Sequence, residues 1–312
     1  MKPLRIGTRD SQLAVWQATT VQELLKAAGV QSELVYMKSE GDVDTVTPLY
    51  ALGVTGVFTK TLDAALLNNR IDIAVHSMKD VPTQLAGGVQ QAAVLKRASY
   101  KDIFVYKHGA DFLSDFSSEA TIATGSVRRI AQWMNRYPNH KIENLRGNVN
   151  TRLRKVQDHD WNGAVFAAAG LERIHLRPEK SIDLDWMLPA PAQGAIMVVC
   201  REGDDIAFEA CQSFNDEATA LCVKIERDFL SALMGGCSTP ISALAEINEG
   251  DVFLKGNVLS PNGKQKAEVA MQMPFDEATT LGLMAADKIL AEGGLEIVHK
   301  IRNKGLADEG KA

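Results

Sequence analysis

The chain has 312 residues, of which 46% are hydrophobic and 23% charged, and it is long enough for two or three domains with buried cores. Its formal net charge of −5 argues against a general nucleic-acid-binding protein. Residues 1–20 lack the apolar run of a secretory signal, and no apolar stretch approaches the roughly 20 residues that span a bilayer. We therefore expect a cytoplasmic protein with no nucleic-acid or membrane partner.

The first hundred residues alternate apolar strands with amphipathic helices. The predicted elements, in chain order, are strand 4–8, helix 10–28, strand 33–37, helix 58–67 and strand 71–75. A long loop at 38–56 separates the second strand from the second helix. This alternation favours a largely parallel sheet covered by helices.

The same alternation restarts after Lys101. Three further strands are predicted, at 121–124, 142–145 and 164–167. Each precedes a helix, and these helices begin near Ser126, Asn148 and Ala169. A segment with two prolines, 188–194, is expected to cross between domains and to lead into an apolar strand at 195–200. The remaining predicted elements are a helix at 216–233, strands near 241–247 and 251–259, and a final helix near 276–292.

A locally basic segment lies within this acidic chain. Residues 121–177 contain ten Lys or Arg and four Asp or Glu, so the segment carries ten minus four, or +6. An excess of this sign suggests an anionic ligand rather than a polyanionic partner that covers the whole surface.

Four arginines of this segment stand at strand-to-helix junctions. Arg128 and Arg129 follow Ser126 at one junction. Arg146 precedes the next junction, and Arg152 lies one turn into its helix. Helix N-termini present free N–H groups, and the planar arginine fork fits carboxylates and phosphates. Surface salt bridges would explain any single arginine, but several at successive junctions favour an anion cleft at the carboxyl edge of an open α/β sheet.

A second polar cluster, Ser77, Lys79 and Asp80, follows the strand predicted at 71–75. These side chains would project from the carboxyl edge of the sheet, near the same cleft. A carboxylate beside a lysine is an ordinary ion pair, an acid–base group or a stabiliser of a cationic intermediate. Spacing alone leaves these three roles open.

The four cysteines are too far apart for a CxxC motif, and the thiols of a cytoplasmic protein are normally reduced. Cys200 ends an apolar strand and Cys222 lies on an apolar helical face, so both are expected in the core. Cys211 is ambiguous. Cys237 differs, because it follows two glycines and has no apolar periodicity around it. It is a candidate nucleophile, metal ligand or disulfide partner, or a loop residue without a role.

Several motifs together resemble one family, hydroxymethylbilane synthase, also called porphobilinogen deaminase. The shared motifs, in the family's order, are RIGTRDSQLA (5–14), DIAVHSMKDVP (72–82), TGSVRR (124–129), LRGNVNTRL (145–153), AAGLER (168–173), PAQG (191–194) and GGCSTPI (235–241). They extend from residue 5 to residue 241, and HSMKDVP and RGNVxTRL are specific signals.

The resemblance implies an α/β fold of three domains, with two lobes like those of periplasmic binding proteins and a small α+β C-terminal domain. The first lobe would comprise 1–97 and 195–214, and the second lobe, with the basic cleft, 101–192. The third domain, 216–312, would carry the cofactor-attachment loop.

The resemblance also implies an enzyme that joins four porphobilinogen molecules head to tail into the linear tetrapyrrole hydroxymethylbilane, with release of ammonia, in tetrapyrrole (haem) biosynthesis. Porphobilinogen is the implied small-molecule substrate, and a monomer is the implied state. The implied primer is a dipyrromethane cofactor attached through a thioether to Cys237, whose neighbouring glycines would admit a bulky bipyrrole. No metal is implied.

Site residues are implied motif by motif. Asp80 would be catalytic, because it would pair with pyrrole N–H groups, stabilise positive charge and assist proton transfers. The implied cofactor-binding residues are Cys237, Asp80, Ser77, Lys79, Ser126, Arg128, Arg129 and Arg152. The implied substrate-binding residues are Arg9, Ser11, Gln17, Thr124, Arg146, Arg152 and Arg173.

The 38–56 loop departs from the family pattern. SEGD (39–42) stands where the family often has Thr-Arg-Gly-Asp, and GVTG (53–56) stands where it often has a lysine. The contacts of this loop with substrate therefore stay open at three positions, Glu40, Ala51 and Thr55.

Two other classes compete with this interpretation. A two-lobed anion-binding protein without turnover would leave the Lys79–Asp80 pair and the Gly-Gly-Cys motif without a use. A hydrolase or amidotransferase with a cysteine nucleophile would need a histidine base, and none of the six histidines lies in a recognisable partner motif for Cys237. Assay of the linear tetrapyrrole made from porphobilinogen separates all three classes.

Overall fold

The computed structural model describes residues 2–38, 59–233, 235 and 239–301. Four residues singled out from the sequence lie outside these ranges, namely Glu40, Ala51, Thr55 and Cys237. The described residues form three sheets, two of five strands and one of three. No helix among them is long and apolar enough to cross a membrane.

The first sheet combines strands from near the N-terminus with one strand from far along the chain. Its strands are β1 (Leu4–Arg9), β2 (Ser32–Met37), β3 (Ile73–Ser77), β4 (Val89–Val94) and β10 (Ile196–Arg201). They are hydrogen-bonded in the order β2-β1-β3-β10-β4. The helices that pack on this sheet are α1 (Gln12–Ala27), α2 (Lys60–Leu67) and α6 (Asp205–Gln212).

The second sheet is continuous in sequence. Its strands are β5 (Asp102–Tyr106), β6 (Thr121–Ala123), β7 (Lys141–Glu143), β8 (Gly163–Ala167) and β9 (Ser181–Asp183). Their order in the sheet is β7-β6-β8-β5-β9. The helices of this lobe are α3 (Val127–Arg136), α4 (Val149–Asp158) and α5 (Ala168–Glu172).

Four of the five strands in each large sheet run in the same direction, so the prediction of a largely parallel sheet is confirmed, but each sheet also contains one reversed strand. β1 runs parallel to β2 and β3, and β6 runs parallel to β7 and β8. β10 and β5, however, are antiparallel to both of their neighbours. Each of these two strands enters its sheet from the other lobe rather than through a helical crossover. Parallel pairing of consecutive strands requires such a crossover, so these two strands are free to run antiparallel.

The third domain is a three-stranded antiparallel sheet covered by two helices. Its strands, in sheet order, are β11 (Ile241–Asn248), β12 (Asp251–Leu259) and β13 (Lys266–Pro274). The helices are α7 (Glu217–Ala232) and α8 (Leu281–Ile289). Fully buried side chains such as Phe229 and Ile225 fill the space between the layers, and each stabilises the fold by roughly 1.5–3 kcal/mol.

Two chain segments cross between the lobes and touch each other. One joins β4 to β5, and the other joins β9 to β10 and contains the predicted crossing 188–194. The N–H of Ala98 donates to the carbonyl of Gly194 at 3.1 Å. Gly194 has a φ of +88°, and a Cβ there would lie 2.7 Å from the carbonyl oxygens of Ala98 and Ser99, so only glycine allows this contact. The residue limits of the three domains stay a prediction.

Candidate active site

The polar motifs follow the carboxyl ends of parallel strands in both lobes. Arg9 and Ser77 end β1 and β3 of the first sheet, and Thr124 directly follows β6 of the second. The two junctions of the second sheet are close, because a Cβ at Gly125 would lie 2.7 Å from the carbonyl oxygen of Leu145. The helices at this edge begin at polar caps, since Ser11, Ser126 and Asn148 each accept a hydrogen bond from the first turn of α1, α3 and α4.

Arg128 and Arg129 converge on one buried carboxylate, that of Asp102 at the start of β5. Nη2 of Arg128 donates to Oδ2 of Asp102 at 2.6 Å. Nε and Nη2 of Arg129 donate to Oδ1 at 3.1 and 2.7 Å. Their Nη1 groups donate to the carbonyl oxygens of Leu188 and Val165 at 2.6 and 2.9 Å. Both guanidinium forks are therefore fixed within the second lobe.

Gln193 and Lys79 extend this cluster toward the first lobe. Nε2 of Gln193 donates to Oδ1 of Asp102 at 3.0 Å and to the carbonyl of Tyr100 at 2.7 Å. These two bonds set the orientation of the amide, so its Oε1 accepts from Nζ of Lys79 at 3.2 Å. A single buried amide thus links the Lys79 ammonium to the arginine pair.

The charges of this cluster do not cancel. Burial acts to raise the pKa of Asp102, but Arg128, Arg129 and Lys79 lower it more, and the net effect holds that pKa well below its usual range. The pKa of Lys79 is lowered to about 8, mainly by burial. The charges of Asp80 and Asp102 act to raise this pKa, whereas those of Arg128 and Arg129 lower it further. One buried carboxylate is shared by three basic groups, and the excess positive charge favours carboxylate ligands.

Asp80 stands at the boundary between the lobes. It ends a short 3₁₀ turn, Met78–Asp80, that directly follows β3, and it is half-buried. Burial lowers the pKa of Lys79 and of Arg152, and the negative charge of Asp80 opposes the shift in both. The carboxylate therefore acts on a lysine of its own turn and on an arginine of the second lobe.

Arg152 and Arg146 lie together at the second junction. Nε of Arg152 donates to the carbonyl of Gly147 at 2.7 Å, and Arg146 is buried. Burial lowers the pKa of Arg152 to about 10, and the positive charges of Arg129 and Arg146 lower it further. Within the described ranges, no carboxylate lies within ion-pair distance of Arg152, so a ligand carboxylate would relieve this repulsion.

The first lobe contributes a second group of polar side chains. Buried Gln17 donates from Nε2 to Oγ of Ser77 at 2.9 Å, which fixes both side chains at the end of β3. Arg9 acts on His76, whose pKa is lowered to about 4 by burial and then by that positive charge. The imidazole is therefore neutral near pH 7, and its buried Nε2 has no hydrogen-bond partner among the described residues.

Arg173 bridges the two lobes near these residues. Its Nη2 donates to the carbonyl of Gly194 at 2.7 Å, and its guanidinium carbon lies 5.7 Å from the centre of the Trp16 ring on α1. Burial lowers the pKa of Arg173 to about 10, with Glu172 opposing. This predicted substrate-binding residue thus lies at the lobe boundary, with its guanidinium partly committed to protein groups.

The third domain reaches the same region through a fully buried carboxylate on α7. Glu226 accepts from Arg97 at 2.6 and 3.1 Å, and from the N–H groups of Ala192 and Ala245 at 2.6 and 2.8 Å. Arg97 belongs to one crossing segment, Ala192 to the other, and Ala245 to β11. The residue after Ala192 is Gln193, so the third domain is connected to the Asp102 cluster through two consecutive residues.

Sequence reasoning missed two members of the central cluster, Asp102 and Gln193. Asp102 opens the apolar run DIFVY, and a lone acid before a buried strand is the signal that could have identified it. Gln193 lies in the PAQG motif, but the motif alone did not predict a role for its side chain. The expectations for Cys200 and Cys222 are confirmed, because both are free and buried, and Cys211 is buried as well.

The fold and the cluster define a two-lobed α/β protein with a third sheet domain and a cationic site at the edges of both large sheets. Two family models match this chain. Residues 4–209 match "porphobilinogen deaminase, dipyromethane cofactor binding domain", and residues 220–291 match "porphobilinogen deaminase, C-terminal domain". The chain belongs to the porphobilinogen deaminase family. Its activity is that of hydroxymethylbilane synthase, in tetrapyrrole biosynthesis.

Relatives agree with this assignment over nearly the whole length. The chain is 40% identical to the porphobilinogen deaminase of Syntrophotalea carbinolica over 299 residues, 95% of each chain. It is also 40% identical to the chloroplastic porphobilinogen deaminase of Oryza sativa subsp. japonica over 302 residues, 93% of this chain and 84% of the relative. The family assignment favours the enzyme over the two rival classes.

The solved structures that match this chain are more distant in sequence. An ancestral cationic amino acid solute binding protein is 16% identical, with a TM-score of 0.44 over 68% of this chain and 87% of that one. The periplasmic VFT2 domain of Bordetella pertussis BvgS is 14% identical, with a TM-score of 0.42 over 70% and 90%. No ligand of this chain is inferred from them.

The described residues fit a dipyrromethane. Each of its rings carries an acetate and a propionate, so the group brings four carboxylates to the site. The buried Nε of Arg128 has no hydrogen-bond partner among the described residues, which leaves one donor for such a carboxylate. Lys79 lies beside it with only a neutral amide as its hydrogen-bond partner in the described chain. The donor set therefore matches the charge of the cofactor.

Proposed function

We propose that Asp80 is the catalytic carboxylate of this enzyme and that Cys237 carries its dipyrromethane. The position of Asp80 in the fold is the observation that most strongly supports its catalytic role. It ends a turn at the carboxyl edge of the first sheet, and its charge acts on both Lys79 and Arg152. A carboxylate at the boundary between two lobes can stay close to the reacting atoms. Cationic side chains of both lobes then bind the acetate and propionate groups of the rings.

The chemistry requires an anion at that place. Porphobilinogen loses ammonia as its C–N bond breaks, and the resulting azafulvene is electrophilic. When bound, the dipyrromethane supplies a terminal pyrrole whose α-carbon forms the new C–C bond. Asp80 accepts hydrogen bonds from pyrrole N–H groups, stabilises the positive charge that develops, and would assist removal of the α-proton from the terminal pyrrole whose α-carbon has formed the new bond.

The remaining cleft residues divide into two groups by the carboxylates they bind. The cofactor-binding group comprises Ser77, Lys79, Ser126, Arg128, Arg129 and Arg152. The substrate-binding group comprises Arg9, Ser11, Gln17, Thr124, Arg146, Arg152 and Arg173. Each added ring brings two carboxylates, so Arg152 serves both groups as the chain grows.

Asp80→Asn tests the catalytic role. The substitution keeps the shape of the side chain and removes its charge, so kcat should fall by at least about 10², while the cofactor stays attached. Asp287→Asn, at an exposed position of α8, is the matched control and should leave kcat unchanged. A near-normal kcat in the Asp80 variant would refute the assignment.

Intact-mass analysis tests the attachment site. The purified enzyme should be heavier than its sequence by one dipyrromethane, and Cys237→Ser should lose both the added mass and the activity. Cys222→Ala, at a buried position of the same domain, should keep the added mass. An active enzyme of unmodified mass would exclude a covalent cofactor on Cys237.

We further propose that the enzyme acts as a monomer in the cytoplasm, on porphobilinogen and without nucleic-acid or membrane partners. The three described cysteines are free thiols, which agrees with a reducing compartment. The monomer is the state that the family resemblance implies. Light scattering coupled to gel filtration should give the mass of one chain, and a mass of two chains would refute this part of the proposal.

A further inference from the structure

One arginine of the third domain binds the turn that carries Asp80. Arg227 lies on α7, and its guanidinium donates to three backbone carbonyls of the first lobe. Nη1 donates to the carbonyl oxygens of Met78 and Val81 at 3.4 and 2.9 Å, and Nη2 donates to that of Pro82 at 2.5 Å. These carbonyls precede and follow Asp80 in the chain, so one side chain holds both sides of the turn.

The turn that carries Asp80 makes some hydrogen bonds of its own, but it also depends on the hydrogen bonds from Arg227. The N–H of Met78 donates to the carbonyl of Ala195 at 3.1 Å, which ties the start of the turn to the segment before β10. The N–H of Val81 donates back to Met78 at 3.1 Å and closes the turn itself. Beyond Val81 the chain forms no strand until β4, and Pro82 has no N–H to donate. Arg227 therefore supplies the anchor on the carboxyl side of Asp80.

The helix that presents Arg227 is itself fixed against the first lobe. Val223 lies one turn earlier on α7, on the same face as Arg227, and is fully buried in the core cluster that contains Met78 and Val81. Ala220 packs against the same cluster. Burial lowers the pKa of Arg227, with Asp228 opposing. The guanidinium thus lies in a defined, partly desolvated place rather than on a mobile surface side chain.

We propose that Arg227 is a positioning residue for the reaction. It holds the 3₁₀ turn so that the carboxylate of Asp80 stands between the lobes, and it makes that position depend on the docking of the third domain. The inference rests on the catalytic role proposed for Asp80. It adds that the third domain, to which Cys237 belongs in sequence, also sets the geometry of the catalytic carboxylate.

A double-mutant cycle tests this coupling in the holoenzyme. Arg227→Met and Arg227→Lys are made in the native chain and in the Asp80→Asn chain, and addition of the first ring is followed by native mass spectrometry over hours. Arg227→Met should lower kcat by about 10-fold to 100-fold, the scale of a small misplacement of a catalytic group, with KM within about twofold. Arg227→Lys keeps a donor and a charge, and it should recover part of the loss.

The decisive comparison is the effect of Arg227→Met when Asp80 is already neutral. Because the arginine acts through that carboxylate, the further loss in Asp80→Asn should be less than about twofold, far from the additive value expected of independent sites. Lys224→Met, one turn earlier on α7 at an exposed ion pair with Asp228, is the matched control and should change neither rate.

Each other outcome overturns the inference in a recognisable way. An equal loss in both backgrounds would show that Arg227 acts independently of Asp80. A raised KM with an unchanged kcat would make it a substrate contact. Loss of the attached cofactor in both Arg227 variants would make it a folding residue. A normal rate in Asp80→Asn alone would refute the role proposed for Asp80, and this result is distinct from any failure at Arg227.

Discussion

The two strand–helix junctions of the second sheet carry arginines at similar places but neutralise them differently. Between β6 and α3, Arg128 and Arg129 both bind Asp102, so the protein supplies the counter-charge itself. Between β7 and α4, the hydrogen bond described for Arg152 goes to the neutral carbonyl of Gly147. We call the first junction the closed unit, because one internal carboxylate fixes both guanidinium groups and offsets part of their charge. Arg152 at the second junction has no ion-pair partner among the described residues.

This difference indicates how one sequence pattern can give two kinds of binding. An arginine pair anchored on an internal carboxylate is held in one geometry before a ligand arrives, which fits a group that never leaves, such as the cofactor. A half-buried arginine beside other cations gains more from each carboxylate that reaches it. Arg152 is therefore placed for a chain that grows and advances.

Breaking the closed unit should have the largest effect. Asp102→Asn leaves two buried guanidinium groups without their counter-charge, and we expect a loss of roughly 3–5 kcal/mol in the free energy of unfolding. The same variant should fail to acquire the cofactor, because the arginine forks lose their fixed geometry. Urea unfolding and intact-mass analysis measure the two effects.

The matched control for this prediction is Asp183→Asn. Asp183 also pairs with two basic side chains, those of Lys101 and Arg177, but it is about one-third exposed. Ion pairs of that kind contribute only about 0–1 kcal/mol. If Asp102→Asn unfolds like the control and carries the normal cofactor mass, the closed unit has no special role.

Removal of one arginine from the closed unit should act mainly on cofactor assembly. Leucine at Arg128 or Arg129 should give apoenzyme, because a charge-assisted contact of roughly 1.5–3 kcal/mol is lost at the site that first binds the carboxylates. Arg136→Leu, at the other end of α3, should load the cofactor normally, since its guanidinium lies against the Phe116 and Trp186 rings. Cofactor-bearing protein from the Arg128 and Arg129 variants would contradict the proposed division of roles.

Variants at the second junction should be impaired at a later step, the elongation of the bound chain. Arg152→Leu should let the cofactor form but should stall elongation, and enzyme bearing one to three extra rings should accumulate after a substrate pulse. Arg146→Leu should behave in the same way. Native mass spectrometry resolves these species, and exposed Arg154 on the same helix provides the control Arg154→Leu. Complete tetrapyrrole from both variants without stalled species would place the growing chain elsewhere.

Sequence patterns located these junctions, but not the way each one is neutralised. The strands before Ser126 and Asn148 and the helices after them were predictable, because apolar periodicity and a capping residue are local signals. The pairing of Asp102 with Arg128 and Arg129 joins positions 26 and 27 residues apart. Such a contact depends on the order of strands in the sheet, which local patterns do not contain.

The same limit explains the errors in the fold. β4, β5, β9 and β13 were not predicted, and the final helix predicted at 276–292 is divided into a 3₁₀ helix (Phe275–Thr280), α8 and a π-helix (Leu290–Gly294). The antiparallel insertion of β5 and β10 depends on chain segments that cross between lobes, and no periodicity encodes a crossing. Family motifs, by contrast, predicted the site residues directly, and these roles stay a prediction, while the comparisons support the family that the motifs indicated.

The smallest predicted effect concerns Lys79, which links the closed unit to the first lobe. Burial, partly opposed by Asp80 and Asp102, lowers its pKa to about 8. The ammonium is therefore charged below about pH 8 and neutral above it, and its attraction for a carboxylate is lost as the pH rises through that value. The rate at which apoenzyme acquires its cofactor should fall severalfold between pH 7 and pH 9.5, with about half of the Lys79 contribution lost near pH 8.

Lys79→Arg separates this titration from all others in the cleft. Arginine keeps its charge over the whole range, so the fall near pH 8 should disappear from the loading rate of this variant. In the holoenzyme a bound carboxylate stabilises the charged lysine and raises its pKa, so the corresponding limb should move to higher pH. A loading rate that still falls near pH 8 in Lys79→Arg would contradict this prediction and assign the titration to another group. The contribution of Lys79 to the cationic site would then not depend on pH in this range.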